Sequence, residues 1–132
     1  MAIEDMHVEP VLPKRVRREF DKIPARVARA VADFDKHKGP DWRSDIKRPI
    51  QMSCVCNCVL GQLYGGFVEG CMMRGWEPSG VRVVALGLSI PEIFFSDSGA
   101  DYSDKYWDAL NAAFENAISP EPLTRVRGDI IG

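Results

Sequence analysis

Residues 57–76, "NCVLGQLYGGFVEGCMMRGW", decide how the middle of the chain is read. With Asn57 as N-cap, a helix running to about Arg74 places Leu60, Leu63, Tyr64, Phe67 and Cys71 on one apolar face. The opposite side carries Cys58, Gln62, Gly65 and Glu69. Gly75 supplies the C-terminal stop, and Trp76 packs back behind it. Gly61, Gly65, Gly66 and Gly70 are each roughly 1 kcal/mol less favourable than Ala in a helix interior. Such a penalty is tolerable where a neighbouring backbone comes close. The expectation is a central, glycine-containing helix contacted on more than one side.

All four cysteines fall in or just before this stretch, at Cys54, Cys56, Cys58 and Cys71. Cys-x-Cys-x-Cys lies outside the usual ligand spacing of zinc sites. In a straight helix Cys71 stands about 20 Å from Cys58, too far to share one ion. A mononuclear site would need Cys54, Cys56 and Cys58 with His7, His37 or a carboxylate. The Cys-x-x-Cys redox motif is absent. Buried structural thiols are the favoured reading, with no metal and no cofactor.

Working outward, "DKIPARVARAVADFDKHKG" predicts a helix with Asp21 as N-cap, Pro24 in its first turn and Gly39-Pro40 as its stop. Val27, Val31 and Phe34 mark its apolar side; Arg26, Arg29, Asp33 and Lys36 mark a charged, solvated side. Trp42, Ile46 and Ile50, spaced four apart around Pro49, read as apolar anchors on an irregular connector. Residues 81–86 are Val-rich and suit a short strand, but the flanking Ser79 and Gly87 tip the reading towards a short helix. The last helix takes Ser103 as N-cap and buries Trp107, Leu110, Phe114 and Ile118, with Pro120 beyond its end. The fold class is mainly α, a single small helical domain over 14–118. Residues 1–13 and 119–132 are extended N- and C-terminal arms.

The 132 residues suit one hydrophobic core, and the net charge of −2 argues against a dominant polyanion-binding surface. The charge is uneven, however. Residues 1–50 hold 12 of the 17 Lys and Arg against 9 acids, and residues 14–29 hold seven bases against two acids. Lys14, Arg15, Arg17, Arg18, Arg26 and Arg29 are therefore the candidate partner-binding residues. No aromatic-interleaved basic motif accompanies them, so nucleic acid ranks below a protein partner. No apolar run reaches the roughly 20 residues of a membrane span. The first residues are acidic where a signal peptide is basic, and the expected location is the cytoplasm. Catalysis finds no support. The two histidines, His7 and His37, suggest no dyad with a cysteine, Glu69 and Glu92 are isolated acids, and "SDSGADYSD" lacks the order of a calcium loop. "GQLYGG" is no phosphate loop, and the Arg-Gly-Asp tripeptide at 127–129 reads as chance.

"DWRSDI", "MSCVCNCVLGQLYGGF", "ALGL" and "YWDALNAAFENAI" together resemble a group of small uncharacterised proteins of actinobacteria and their bacteriophages. The likeness covers about residues 40–118 and is most specific over Cys58-Val59-Leu60-Gly61-Gln62-Leu63-Tyr64-Gly65. It implies a small, mostly helical domain and a phage origin, with no activity attached. It carries over Cys58 and Gln62, and not Cys54, Cys56 or Cys71. Residues 81–86 and the connector "SIPEIFFSDSGADYSD" depart from the group's pattern. Cys58, Leu60, Gly61, Gln62, Leu63, Tyr64 and Phe67 form the expected core motif. The functional expectation is a non-enzymatic phage accessory protein that binds a host or phage protein in the host cytoplasm. A virion component with interlocking arms is the first alternative, and a metal- or nucleic-acid-binding regulator the second.

Overall fold

The computed structural model describes residues 12–95 and 100–118. Both arms, with His7, Pro120 and the 127–129 tripeptide, lie essentially outside that range, as do residues 96–99 of the "SDSGADYSD" loop. Six α-helices occur among the described residues: α1 (Lys14–Asp21), α2 (Ile23–His37), α3 (Val59–Tyr64), α4 (Phe67–Arg74), α5 (Val81–Ala85) and α6 (Ser103–Ile118). Short 3-10 turns cover Pro40–Asp45, Glu92–Phe95 and Ala100–Tyr102. The chain is mainly helical, as its periodicities predict. Among the described residues no helix is long and apolar enough to cross a membrane.

The two long helices, α2 and α6, pack against each other and carry the core. Val27, Ala30 and Phe34 of α2 are buried, as are Tyr106, Leu110, Phe114 and Ile118 of α6. Tyr106 takes the place expected for Trp107, which is only partly buried. The spacing of four that joins Leu110, Phe114 and Ile118 extends back to Tyr106 and not to Trp107. Ser103 is the first helical residue rather than the N-cap, because a 3-10 turn leads directly into α6. Asp21 likewise ends α1 instead of capping α2. Lys22 is the hinge between them, its N–H donating to the Glu19 carbonyl at 3.2 Å. Pro24 sits in the first turn of α2 as expected.

The central helix is not continuous. It breaks at Gly65-Gly66, where Gly65 takes φ +93°, a left-handed conformation open to glycine at little strain. The turn folds α4 back on α3, and Gly70 lies directly against the Leu60 side chain. The straight-helix separation of Cys58 and Cys71 therefore does not apply. Cys58, not Asn57, is the N-cap of α3, its Sγ accepting the Gly61 N–H at 3.2 Å. The reason is local: Cys58 is the residue with extended backbone at φ −73°, ψ 164°. Gly61 meets the expectation of a close backbone, since a Cβ there would collide with the Val55 carbonyl. The expected stop at Gly75 is present, with the Trp76 N–H bonding the Cys71 carbonyl at 2.8 Å.

Trp42, Ile46 and Ile50 are buried anchors of the connector, as read. Polar side chains fix the stretch between them. Trp42 Nε1 donates to Asp35 at 2.8 Å, the Ile50 N–H to Glu115 at 2.8 Å, and the Met52 N–H to Asn111 at 2.7 Å. Gln62 clips connector to core by donating to the Lys47 and Asn57 carbonyls at 3.0 and 2.9 Å. Residues 81–86 hold a helix, α5, rather than a strand. Gly80 stands at its N-cap position in place of Ser79.

Candidate docking groove

The sequence that follows α4 forms one wall of a groove of about 920 Å³, and α2 forms the other. Local chemistry sets the position of α5. Gly87, at φ +70°, ends it with paired bonds: Gly87 N–H to the Val84 carbonyl at 3.0 Å and Leu88 N–H to the Val83 carbonyl at 2.8 Å. A Cβ added at this glycine would stand 3.5 Å from the side chains of Arg26, Val27 and Leu110. The end of α5 is thus pinned on the α2–α6 pair. Val83, Leu86, Leu88 and Ile90 turn inward and are buried.

Two large apolar side chains turn outward, together with Arg82 and Glu92. Val81 is 87% exposed and Phe95 71% exposed, and both line the groove. Facing them, Lys22, Arg26 and Arg29 of the α2 wall follow a spacing of four and three, which puts them on one side of the helix. Their surroundings differ. Arg26 is only 8% exposed, and its guanidinium donates to Tyr106 Oη at 2.6 Å and to Glu19 Oε1 at 2.7 Å. The expectation that Arg26 lies on a solvated, partner-facing surface is corrected here: its charge is spent inside, joining α1, α2 and α6. Burial raises the Tyr106 phenol above the usual tyrosine range, while the Arg26 guanidinium pulls it down. The phenol stays protonated and accepts from the arginine.

Lys22 and Arg29 remain at the surface. Among the described residues Lys22 makes a 3.5 Å contact with Glu19, and Arg29 a 3.4 Å bond to the Ala85 carbonyl. Glu92 is the acid of the opposite wall. Lys14, Arg15, Arg17 and Arg18 are exposed on α1; three of them, without Arg15, line a separate shallow hollow with Asp21. The basic cluster of the sequence is therefore divided among an internal tie, a groove wall and an outer face. Asp33, read as part of the solvated stripe, binds the Arg74 guanidinium of α4 in a two-point ion pair.

The apolar wall is what the sequence reading missed. Val81 was read only as part of the Val-rich 81–86 segment, and Phe95 only as part of the connector that follows it. Their alternation with inward Val83 and Phe94 could have suggested a two-sided segment. The core motif serves structure: Cys58, Leu60 and Gly61 are buried, Leu63, Tyr64 and Phe67 pack partly against the core, and Gln62 is the clip described above.

Among the described residues the groove lining contains neither histidine nor cysteine. Of the thiols, Cys56 is exposed, Cys54 half-buried, and Cys58 and Cys71 buried. Burial pushes both buried thiols above the usual range, away from the thiolate that nucleophilic or metal chemistry needs. Among the described residues no three His, Cys, Asp or Glu side chains are grouped so as to hold a metal ion. What the groove offers is an apolar surface edged by two lightly held cations. Comparison of the chain with protein-family models, curated proteins and solved structures found no match.

Proposed function

We propose that the chain is a non-enzymatic phage accessory protein that binds a host protein in the host cytoplasm, with the α2–α5 groove as its docking surface. The observation that carries this is the exposure of Val81 and Phe95 at 87% and 71% within one concave site. Covering such side chains is favourable by about 1.5–3 kcal/mol each. Aromatic and arginine side chains set together in a pocket are the groups on which protein interfaces most depend. The phage setting rests on the resemblance over residues 40–118.

The test is affinity recovery from an actinobacterial host, comparing the wild-type chain with a Val81→Asp/Phe95→Asp double variant. Both side chains are exposed, so the variant keeps its helical circular dichroism and melting point. A specific host protein comes down with the wild type and falls at least about tenfold in the variant, the loss expected when central contacts are removed. Equal recovery by both, or no specific protein with the wild type, rules the reading out.

A further inference from the structure

We infer that the groove takes an acidic, amphipathic protein segment, its carboxylates against Lys22 and Arg29 and its apolar side chains over Val81 and Phe95. This rests on the groove being the docking surface. The argument is one of charge complementarity across the two walls. Among the described residues five charged side chains line the groove: Glu19, Lys22, Arg26, Arg29 and Glu92. Arg26 is matched by Glu19 at 2.7 Å and closed off by Tyr106, so it offers nothing to a partner. Lys22 touches the same, already engaged carboxylate at 3.5 Å and keeps its side chain 55% exposed. Arg29 has its guanidinium on one distant backbone carbonyl. A carboxylate arriving there can take a two-point bond with the fork of Arg29, a shorter and stronger contact than the one it replaces.

Glu92 gives the groove its direction. It stands in the same short turn as Phe95, on the wall opposite Lys22 and Arg29. It repels an acid placed on the apolar wall and leaves the cationic wall as the acid's position. Lys14, Arg15, Arg17 and Arg18 are exposed on α1, outside the groove. The groove thus sets two lightly engaged cations with two of the chain's exposed apolar side chains. Such a surface steers acidic partners and rejects basic ones. Nucleic acid fits less well: the phosphate surface of a duplex has no apolar group to cover Val81 and Phe95, and Glu92 opposes it.

The experiment selects random 15-residue peptides displayed against the full chain. The enriched sequences are then made as labelled synthetic peptides and titrated by fluorescence anisotropy. The expected sequences pair Asp or Glu with Leu, Ile, Phe or Trp. Their affinity falls about tenfold on Arg29→Glu and about tenfold between 50 and 500 mM salt, as an exposed charge contact requires. A matched peptide with Lys in place of its acids binds Arg29→Glu better than it binds the wild type. Basic or uncharged peptides, no enrichment, or displacement of the peptide by a 20-base-pair DNA duplex would overturn the inference. Peptides that lose binding on Val81→Asp/Phe95→Asp but are indifferent to Arg29→Glu remove the acidic partner and leave the docking groove standing. Peptides that bind every variant equally remove both.

Discussion

At Cys58, sulfur occupies the position that a serine or asparagine oxygen takes in most helix caps, accepting the Gly61 N–H at 3.2 Å. The thiol is buried, and desolvation is the main reason its ionisation is pushed upward; the Gly61 N–H and the α3 backbone pull the other way without prevailing. Cys71 is raised by burial alone. Reactivity follows thiolate character and access together. With a disulfide-forming thiol reagent at pH 8, Cys56 reacts first and Cys54 more slowly. Cys58 and Cys71 react only at the rate of unfolding, and peptide mapping of the labelled protein identifies the order. Prompt modification of all four in the folded chain would contradict the burial described above. In the sequence, Cys58 was recognisable as part of a core motif, but its capping role was given to Asn57. Residue type favours Asn at a cap, and only the backbone angles decide which of two neighbours takes the extended conformation.

The same limit appears one level up, in the α3–α4 pair. Leu60, Tyr64, Phe67 and Cys71 keep a helical spacing across Gly65-Gly66, because both helices turn a face to the same core. Periodicity reports which side is buried. It does not report a turn that preserves that side, so one helix was expected where there are two. The glycine pair was the available signal, and the left-handed φ of Gly65 is what it encodes. Gly65→Ala forces a Cβ into that conformation and destabilises the protein by about 1–2 kcal/mol. Space is not the reason, since nothing lies within 4 Å of the added atom. Gly66→Ala is the control. Gly66 is extended at φ 166°, and an added Cβ meets only the movable end of the Glu69 side chain. Its effect stays within about 0.5 kcal/mol. Urea unfolding of the two variants measures both, and equal losses would place the turn's constraint elsewhere. Elements whose ends carry their own chemistry were more legible: Gly75 closed α4 and Gly87 tipped residues 81–86 towards helix, as observed.

Across the whole molecule, the side chains that join helices come from positions a helical wheel assigns to solvent. Arg26 reaches Tyr106, 80 residues on, and Asp33 reaches Arg74, 41 residues on. Spacing within α2 could show that these charges share a side, not that α6 and α4 arrive to receive them. The groove between α2 and α5 was hidden for the same reason, since its two walls come from residues far apart in the chain. One consequence is a sensitivity to alkali. Tyr106, Cys58 and Cys71 are acids whose folded-state ionisation is raised, so folding favours their neutral forms. The unfolded chain ionises at the ordinary values of about 8.5 for Cys and 10 for Tyr. Their contribution to stability is complete below those values and is lost as pH rises through them towards the folded ones. Urea unfolding in the presence of reductant therefore gives a stability that falls between about pH 8 and 11. Tyr106→Phe costs about 1.5–3 kcal/mol at pH 7 by removing the acceptor of a charged donor. It also flattens the fall above pH 10, because no phenol remains to ionise. A Tyr106→Phe profile as steep as that of the wild type would separate the alkaline loss from the Arg26–Tyr106 tie, and leave the two buried thiols as its cause.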